Sequence, residues 1–195
     1  MVRDIIYGHE VLRKLGHVLV GVTSLSAGFV VHKLFGMEAV SALLFIAVLF
    51  SFFADYLRLE LNVRWRELRF LERQREMHTL HATTFTLLGA LLALEFFDPV
   101  IAVTSISMFF FGDAAAAIVG RTVQGPKLFG NKTWSGSSAM LLVSAACAFL
   151  LLDSLLLIIA MALTATLVEL IVEKIDDSFA IIVFAGFVGQ VVSLL

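Results

Sequence analysis

The stretch GDAAAAIVGRTVQGPKLFGNKTWSGSSAM, from Gly112 to Met140, decides how this chain is organised. It begins inside an apolar segment with an aspartate and a series of small residues. It then crosses a loop rich in glycine and lysine and returns to apolar sequence after Trp134. A short polar loop between two long apolar segments is typical of a protein that crosses a membrane more than once. The rest of the chain is therefore predicted to hold this stretch at one face of a membrane.

The composition excludes an ordinary soluble domain. Of the 195 residues, 60% are hydrophobic and only 15% are charged, and the mean hydropathy is +0.98. The charged residues are grouped in short segments between apolar runs, as a multi-pass membrane protein requires. The single Cys147 lies in an apolar run, which excludes a disulfide framework and a thiolate metal site. With no cleavable signal pattern at its start, the chain is predicted to form one integral membrane domain over residues 1–195.

Seven apolar runs are long enough to span a bilayer, which takes about 17–25 helical residues. The runs are continuous rather than alternating, so helices are predicted instead of strands. The predicted fold class is an all-α membrane bundle, and the short links near Gly36 and Asp153 are compatible with tight hairpins. The predicted limits of the spans are 15–35, 37–56, 79–97, 99–120, 135–152, 154–172 and 178–195.

The distribution of arginine and lysine predicts the orientation. With seven spans, the cationic segments all fall on one side of the membrane, and Lys33 alone falls on the other. The positive-inside rule assigns that cationic side to the cytoplasm, with the N-terminus inside and the C-terminus on the opposite side. We therefore expect a multi-pass protein of the cell membrane, or of the endoplasmic reticulum in a eukaryote.

The longest polar segment covers residues 57–78. Its apolar residues recur at three- and four-residue steps between arginine and glutamate, which predicts an amphipathic helix at the cytoplasmic surface. A solvated hairpin with Glu–Arg pairs explains the same pattern equally well. The glutamates offset much of the positive charge, so binding to nucleic acid is not predicted.

Asp113 is an ionisable residue at membrane depth, where a charge costs at least a few kcal/mol and requires a partner or a function. It lies about two helical turns before Arg121, hence roughly 10 Å inside the cytoplasmic boundary. Gly112, Ala116 and Gly120 form a small-residue face that lets a helix or a ligand approach the backbone closely. The alternative is that this face only packs helices and that Asp113 binds a nearby serine or threonine.

Further polar groups are predicted at the same depth as Asp113. Taken singly, each is an ordinary interfacial residue, but the opposite face of the membrane offers no comparable grouping. This asymmetry predicts a site at the cytoplasmic boundary. The residues concerned are Arg13, Lys14, His17, Asp55, Arg58, His78, His81, Glu169, Asp176, Asp177 and Ser178.

The loop from Gly125 to Thr133, GPKLFGNKT, has the composition of a phosphate-binding loop. Its glycines let backbone amides approach an anion, and Lys127 and Lys132 supply positive charge. Thr133 is suited to cap the next helix, whose N-terminus favours anions. The loop differs from the P-loop pattern by one inserted residue, Asn131, and it joins two membrane helices, so a P-loop fold is rejected.

Carboxylates beside such a loop favour a divalent metal. Magnesium is commonly held by one or two carboxylates together with substrate phosphates. Two separated acidic sites, Asp113 and the pair Asp176–Asp177, with a cationic loop between them, meet the needs of phosphoryl transfer. In that reaction cations neutralise the developing charge, and a carboxylate or histidine takes a proton from the attacking hydroxyl. The depth of the site implies an acceptor whose hydroxyl lies at the interface and whose tail lies in the bilayer.

The chain resembles the family of dolichol kinases, phytol kinases and yeast-type diacylglycerol kinases, which are membrane kinases that generally use CTP. The segment from Gly-Asp to Lys-Thr-Trp-x-Gly is its most specific part and is shared with the CDP-diacylglycerol synthases. The Arg-Lys-x-x-His element favours the kinases, and the Pro-Gly-His-Gly-Gly signature of the synthases is absent. The chain differs from the family pattern at Ser135, where an acidic residue is usual, and at Ser178, where asparagine is usual. The matching elements are Glu10-x-x-Arg13-Lys14-x-x-His17, Asp55-x-x-Arg58, Gly112-Asp113 to Gly120-Arg121, Lys127 to Lys132-Thr133-Trp134-x-Gly136, Glu169 and Asp176-Asp177.

The resemblance implies a kinase that uses CTP and Mg²⁺ or Mn²⁺ to phosphorylate a membrane lipid alcohol at the cytoplasmic face. The acceptor would be a polyprenol or dolichol, a phytol-like isoprenoid alcohol, or diacylglycerol. The implied catalytic residues are Asp113, Asp176, Asp177 and His17, and Asp113 and Asp177 would also hold the metal. The implied nucleotide-binding residues, centred on the loop 121–134, are Arg121, Lys127, Gly130, Lys132, Thr133, Gly136, Arg13 and Lys14. The implied supporting residues are Asp55, Arg58 and Glu169.

Two other functions remain open from the sequence. A CDP-lipid cytidylyltransferase would use the same loop and metal but release pyrophosphate. A non-enzymatic transporter with a cytoplasmic anion site would also carry intramembrane carboxylates, although its site is expected nearer the membrane midplane. The small-residue faces serve folding and assembly of a homo-oligomer alike, so the oligomeric state is left open.

Overall fold

The computed structural model describes residues 2–61, 79–123, 125–130, 132–172 and 176–195, and it describes side chains from residue 11 onward within these ranges. A π-helical turn (Met108–Asp113) joins α4 to α5, and two short strands, β1 (Lys127–Phe129) and β2 (Lys132–Thr133), form an antiparallel hairpin. The helices in these ranges are α1 (Val2–Phe35), α2 (Met37–Leu59), α3 (Ala82–Phe96), α4 (Pro99–Ser107), α5 (Ala114–Thr122), α6 (Trp134–Leu151), α7 (Leu155–Ile171) and α8 (Asp177–Ser193).

The predicted all-α bundle of apolar helices is confirmed, and most helix limits lie within three residues of the predicted ones. Three shorter apolar helices are α3, α7 and α8, with 15, 17 and 17 residues. Of the predicted amphipathic segment, residues 57–59 complete α2, and residues 62–78, which include His78, lie outside the described residues. The helices that are long and apolar enough to cross a membrane are Val11–Phe35, Met37–Leu59, Pro99–Thr122 and Trp134–Leu151.

Local sequence signals explain where the helices begin and end. Gly36 alone separates α1 from α2 and has a φ of 86°, a left-handed conformation that glycine adopts at little cost. Pro99 opens α4 at a position where its missing N–H is not needed. Ser154 caps α7 and Thr133 caps α6, and in each case the side chain accepts a hydrogen bond from a first-turn amide. The cap predicted at Thr133 is thereby confirmed, and short links occur near Gly36 and Asp153 as expected.

The continuous helical rod Pro99–Thr122, made of α4, the π-helical turn and α5, lies at the centre of the bundle. It contacts α1, α3, α6, α7 and α8, and most of its residues are buried, whereas few residues of α1 and α2 are. Met108 and Phe109 in the π-helical turn are among the most deeply buried side chains of the core. The part of the rod around Asp113 is therefore held in place by several neighbouring helices at once.

Helices α5 and α6 cross at very short distance through glycines. A Cβ atom at Gly136 would lie 2.9 Å from the carbonyl oxygen of Ala116 and 3.3 Å from the Cα of Gly120. A Cβ atom at Gly112 would lie 2.7 Å from the sulfur of Met140. The small-residue face predicted at Gly112, Ala116 and Gly120 thus receives helix α6, as close packing between membrane helices requires.

Replacing Gly136 by alanine should separate α5 from α6, because the new methyl group would meet backbone atoms that have little room to move. We expect a loss of about 1–3 kcal/mol in the free energy of unfolding and a lower unfolding temperature in detergent. Gly28→Ala is the matched control, since nothing lies within 4 Å of its Cβ position and alanine favours a helix by about 0.5–1 kcal/mol. Equal unfolding temperatures for the two variants would contradict the close crossing.

Candidate active site

A cavity of about 210 Å³ lies where the C-terminal ends of α5 and α7 meet the N-terminal ends of α6 and α8. Helix α1 and strand β2 complete its wall. Three cationic and three anionic side chains line it, so their formal charges cancel. These side chains are Lys14, Arg121, Lys132, Asp113, Glu169 and Asp177.

The first charged contact in the cavity joins α1 to the central rod. The Nζ atom of Lys14 donates to Oδ2 of Asp113, and each side chain is only 7% exposed. The structure thus gives Asp113 a lysine partner, not the serine or threonine that the packing interpretation of the sequence required. A buried ion pair costs desolvation that its attraction repays only in part, so a function for the two charges remains to be found.

The π-helical turn from Met108 to Asp113 sets the direction of the Asp113 side chain. A π-helical turn contains more residues than an α-helical turn, and such turns are frequent at functional sites. The turn is fixed against α1, because a Cβ atom at Gly21 would lie 2.5 Å from the Phe110 ring. Lys14 and Gly21 are seven residues apart and so lie on the same face of α1. Packing at Gly21 therefore holds Lys14 opposite Asp113.

The second charged contact joins the hairpin to α7. The Nζ atom of Lys132 donates to Oε1 of Glu169, which is 3% exposed. No donor among the described residues reaches the other carboxylate oxygen of Glu169, which is also buried. Lys132 is held in place because β2 pairs with β1 and Gly130 makes the turn between them with a φ of 53°. The sequence predicted a glycine-rich loop here, and the hairpin is a difference that the structure adds.

Thr133 and Ser135 fasten the hairpin to helices α5 and α6. The Thr133 hydroxyl accepts from the backbone N–H of Gly136 at 3.2 Å, and Ser135 donates to the Val123 carbonyl at 3.0 Å. Ser135 stands where the resembled family usually has an acidic residue, and here its side chain closes the loop on itself. The N-terminus of α6 is thereby turned toward the cavity, which Thr133, Gly136 and Ser137 all line.

The two adjacent aspartates at the start of α8 differ in position. Asp176 caps the helix, because its Oδ1 accepts hydrogen bonds from the amide and from the hydroxyl of Ser178. Asp177 lines the cavity and lies in the first helical turn, where a negative charge is favourable. The geometry therefore gives Asp176 a structural task and leaves Asp177 facing the cavity.

His17 lies one turn after Lys14, beside the π-helical turn. Its ring centroid is 5.1 Å from that of Phe109 and 5.3 Å from that of Phe110. Its Nε2 atom is buried, and no hydrogen-bonding group of the described residues reaches it. His17 is not part of the cavity wall itself.

Asp55 and Arg58 form a separate cluster at the start of α3. Oδ1 of Asp55 accepts from Arg58 at 2.8 Å, and Oδ2 accepts from the amide of His81 at 2.9 Å and from the hydroxyl of Thr84 at 2.7 Å. Arg58 also donates to the carbonyl of Thr79 at 2.7 Å. These contacts attach the end of α2 to the start of α3, and they contain nothing that reaches into the cavity.

The structure brings together about half of the residues that the sequence singles out. Arg13 is half-buried on α1, whereas Lys127 and Gly130 are exposed on the hairpin. The predicted residues that line the cavity are Lys14, Asp113, Arg121, Lys132, Thr133, Gly136, Glu169 and Asp177. The predicted residues outside its wall are Arg13, His17, Asp55, Arg58, Lys127, Gly130 and Asp176.

Comparison with known proteins adds to this geometry. The chain is 29% identical over 142 residues to the CTP-dependent diacylglycerol kinase 1 of Saccharomyces cerevisiae, and the match covers 70% of this chain and 48% of the yeast protein. The resemblance to CTP-dependent lipid kinases is confirmed. The chain spans about half the length of this relative. No family model and no solved structure matches the chain.

The chemistry of the cavity suits the divalent metal that the lipid kinase resemblance implies. Asp177 and Glu169 offer carboxylate oxygens, which are the ligands that magnesium prefers. Within the described residues, no three histidine, cysteine, aspartate or glutamate side chains converge as a preformed metal cage. Two carboxylates fit a magnesium ion that shares its coordination with substrate phosphates. Asp113, the other predicted ligand, accepts from Lys14 through only one of its two carboxylate oxygens, Oδ2.

Ser137 also lines the cavity, although no pattern in the sequence singles it out. Its side chain is buried at the start of α6, and its hydroxyl has no hydrogen-bond partner among the described residues. In the sequence it is one of four small residues, SGSS, that follow Trp134. Only the crossing of α5 and α6 distinguishes it from its neighbours.

Proposed function

We propose that this protein is a CTP-dependent lipid kinase, which transfers the terminal phosphate of the nucleotide to the hydroxyl group of a membrane lipid alcohol. The convergence of lysine, arginine and carboxylate side chains from distant parts of the chain on one cavity carries the proposal. The similarity to the yeast kinase supplies CTP as the donor. A single membrane domain over residues 1–195, with seven spans, a cytoplasmic N-terminus and the cavity facing the cytoplasm, completes it.

The cationic residues of the cavity would bind the phosphates of CTP. Lys14 on α1, Lys132 on β2 and Arg121 at the end of α5 all line the cavity. The N-terminus of α6 adds its partial positive charge and its amides. A volume of about 210 Å³ is below the range of roughly 300–1,000 Å³ that holds a whole drug-sized ligand. We therefore assign the phosphate chain to the cavity and the nucleoside to the open side of it, beyond the hairpin.

Binding of CTP would exchange partners within the site. Each lysine now pairs with a carboxylate, and a phosphate chain offers both lysines a more highly charged anion. The carboxylates would then be available to a divalent cation. Mg²⁺ or Mn²⁺, when bound with the nucleotide, would neutralise charge on the phosphates, and carboxylate oxygens of Asp177 and Glu169 would hold it. Asp113 would also bind the cation through its second carboxylate oxygen, while Oδ2 keeps its contact with Lys14.

The reaction needs a group that accepts the proton of the acceptor hydroxyl. The hydroxyl oxygen attacks the terminal phosphorus, the bond from that phosphorus to the bridging oxygen breaks, CDP leaves, and the hydroxyl proton goes to a base. Each of the three predicted catalytic aspartates accepts at least one hydrogen bond. The Nε2 atom of His17 has none among the described residues. We propose His17 as the base, since it lies one helical turn from Lys14 and its Nε2 has no partner among the described residues. Its ring lies outside the cavity wall and would have to turn toward the cavity when the lipid hydroxyl enters.

The test is a transfer assay with purified protein in lipid micelles. CTP labelled at its terminal phosphate is offered with Mg²⁺ and a panel of acceptors, with diacylglycerol first because the yeast relative is named for it. The expected products are a labelled phospholipid and CDP. A CDP-lipid with release of pyrophosphate would instead show a cytidylyltransferase. Anion flux in proteoliposomes, without a covalent product from any acceptor, would show a transporter and contradict the kinase.

A further inference from the structure

Two buried polar side chains on the cavity wall each carry an oxygen that no described group of the protein binds. Glu169 is 3% exposed, and its Oε2 has no donor. Ser137 is 8% exposed, and its Oγ has no partner. Leaving a buried polar atom unsatisfied costs roughly 1–3 kcal/mol, and more for a charged one. Two such atoms in one cavity wall point to a ligand that satisfies both.

Structural roles do not explain Glu169. It lies in the last turn of α7, where the helix dipole disfavours a carboxylate. Its contact with Lys132 uses only Oε1. The other oxygen, Oε2, is left buried without a donor among the described residues. A carboxylate at this position therefore lowers the stability of the last turn of α7, and it lines the cavity.

Ser137 differs from another buried serine on the same helix. Ser144 is fully buried two turns further along α6, and its hydroxyl also has no partner among the described residues. A Cβ atom at Gly112 would lie 2.8 Å from the Ser144 oxygen, so Ser144 fills the helix crossing and does not line the cavity. Ser137 faces the cavity together with Glu169. An unpartnered hydroxyl alone means little, whereas one that lines the same cavity as a carboxylate with a free oxygen indicates a binding position.

The chemistry of these two oxygens selects the ligand. A carboxylate oxygen repels a phosphate but attracts a cation, and a serine hydroxyl offers a lone pair to a cation and a proton to a phosphate oxygen. Oxygen ligands of this kind suit magnesium or manganese held jointly with phosphates. We propose that Glu169 Oε2 and Ser137 Oγ form the subsite for the divalent cation of the bound nucleotide. This proposal rests on the proposed function, and it gives Glu169 a direct role where the sequence predicted only support.

The test measures Mn²⁺ binding, not turnover. Purified protein is titrated with Mn²⁺ in the presence of CTP, and bound Mn²⁺ is followed by its electron paramagnetic resonance signal. Glu169→Gln should weaken Mn²⁺ binding about tenfold or more. Ser137→Ala should weaken it about fivefold, which corresponds to one lost contact of about 1 kcal/mol. Ser144→Ala is the matched control on the same helix, and Asp153→Asn is the control for a lost carboxylate at a distance; both should leave binding unchanged.

The outcomes separate this proposal from the kinase assignment. Wild-type affinity for Mn²⁺ in both Glu169→Gln and Ser137→Ala would overturn the subsite, even in a protein that phosphorylates lipids. Lost affinity in both variants would support the subsite, even if no lipid product were found and the kinase assignment failed. Ser137→Ala leaves the contact between Lys132 and Glu169 intact, so it decides alone if Glu169→Gln does not fold.

Discussion

Asp113→Asn should lower phosphate transfer about 10²–10³-fold, the loss typical of removing one charge-stabilising group from an active site. The carboxylate is the partner of Lys14, and both side chains are almost completely buried. With asparagine in its place, Lys14 would remain as an uncompensated buried charge. Removing one partner of a buried pair costs about 3–5 kcal/mol of folding stability. The variant should therefore be both less active and less stable.

A double variant separates these two effects. Lys14→Gln combined with Asp113→Asn removes both charges and keeps a neutral contact between amides. We expect its unfolding temperature in detergent to recover most of the loss seen with Asp113→Asn, while transfer stays as low as in Asp113→Asn. A stable double variant with wild-type turnover would show that the contact between Lys14 and Asp113 only holds α1 to the bundle. Wild-type turnover in Asp113→Asn itself would remove Asp113 from the reaction.

His17→Gln should lower kcat about 10²–10⁴-fold, the contribution usual for a general base, and leave CTP binding unchanged. Glutamine has a similar size and polarity, so the packing of residue 17 against Phe109 and Phe110 should survive. The measurements are single-turnover transfer with saturating CTP and, separately, the affinity for CTP. His32→Gln, an exposed residue of the same helix, is the control. A fall in CTP affinity with kcat intact would show that His17 belongs to the nucleotide site and is not the base.

Much of the fold was predictable because continuous apolar runs and helix caps are local signals. The start of α1 was not, since the helix begins at Val2 whereas hydropathy placed a span from residue 15. The charged residues before residue 15 end an apolar run without ending a helix. The β-hairpin was missed for a different reason. Its pairing of Lys127 with Thr133 depends on a turn at Gly130 that composition alone does not reveal.

The composition of the site was partly predictable and its pairing was not. Asp113 stood out because charged residues are costly near a membrane interior. Lys132 stood out as part of a loop rich in glycine and lysine, and Asp177 as part of an acidic pair. The partner of Asp113 lies 99 residues away at Lys14, and no local pattern links the two. The pair Asp176–Asp177 was treated as one acidic site, although the following Ser178 allows the first aspartate to act as a cap. That Glu169 and Ser137 line the same cavity could not be predicted, because it depends on the packing of α6 against α7.

The π-helical turn makes the site sensitive to the length of the chain as well as to its chemistry. Successive residues of a helix point about 100° apart. Deleting Phe111 alone would therefore rotate Asp113 and all of α5 about the axis of the rod. The carboxylate of Asp113 would then leave Lys14, and the small-residue stripe would no longer face α6. From Met108 to Phe111, side chains of similar size should be exchangeable, whereas the number of residues in the turn should stay the same.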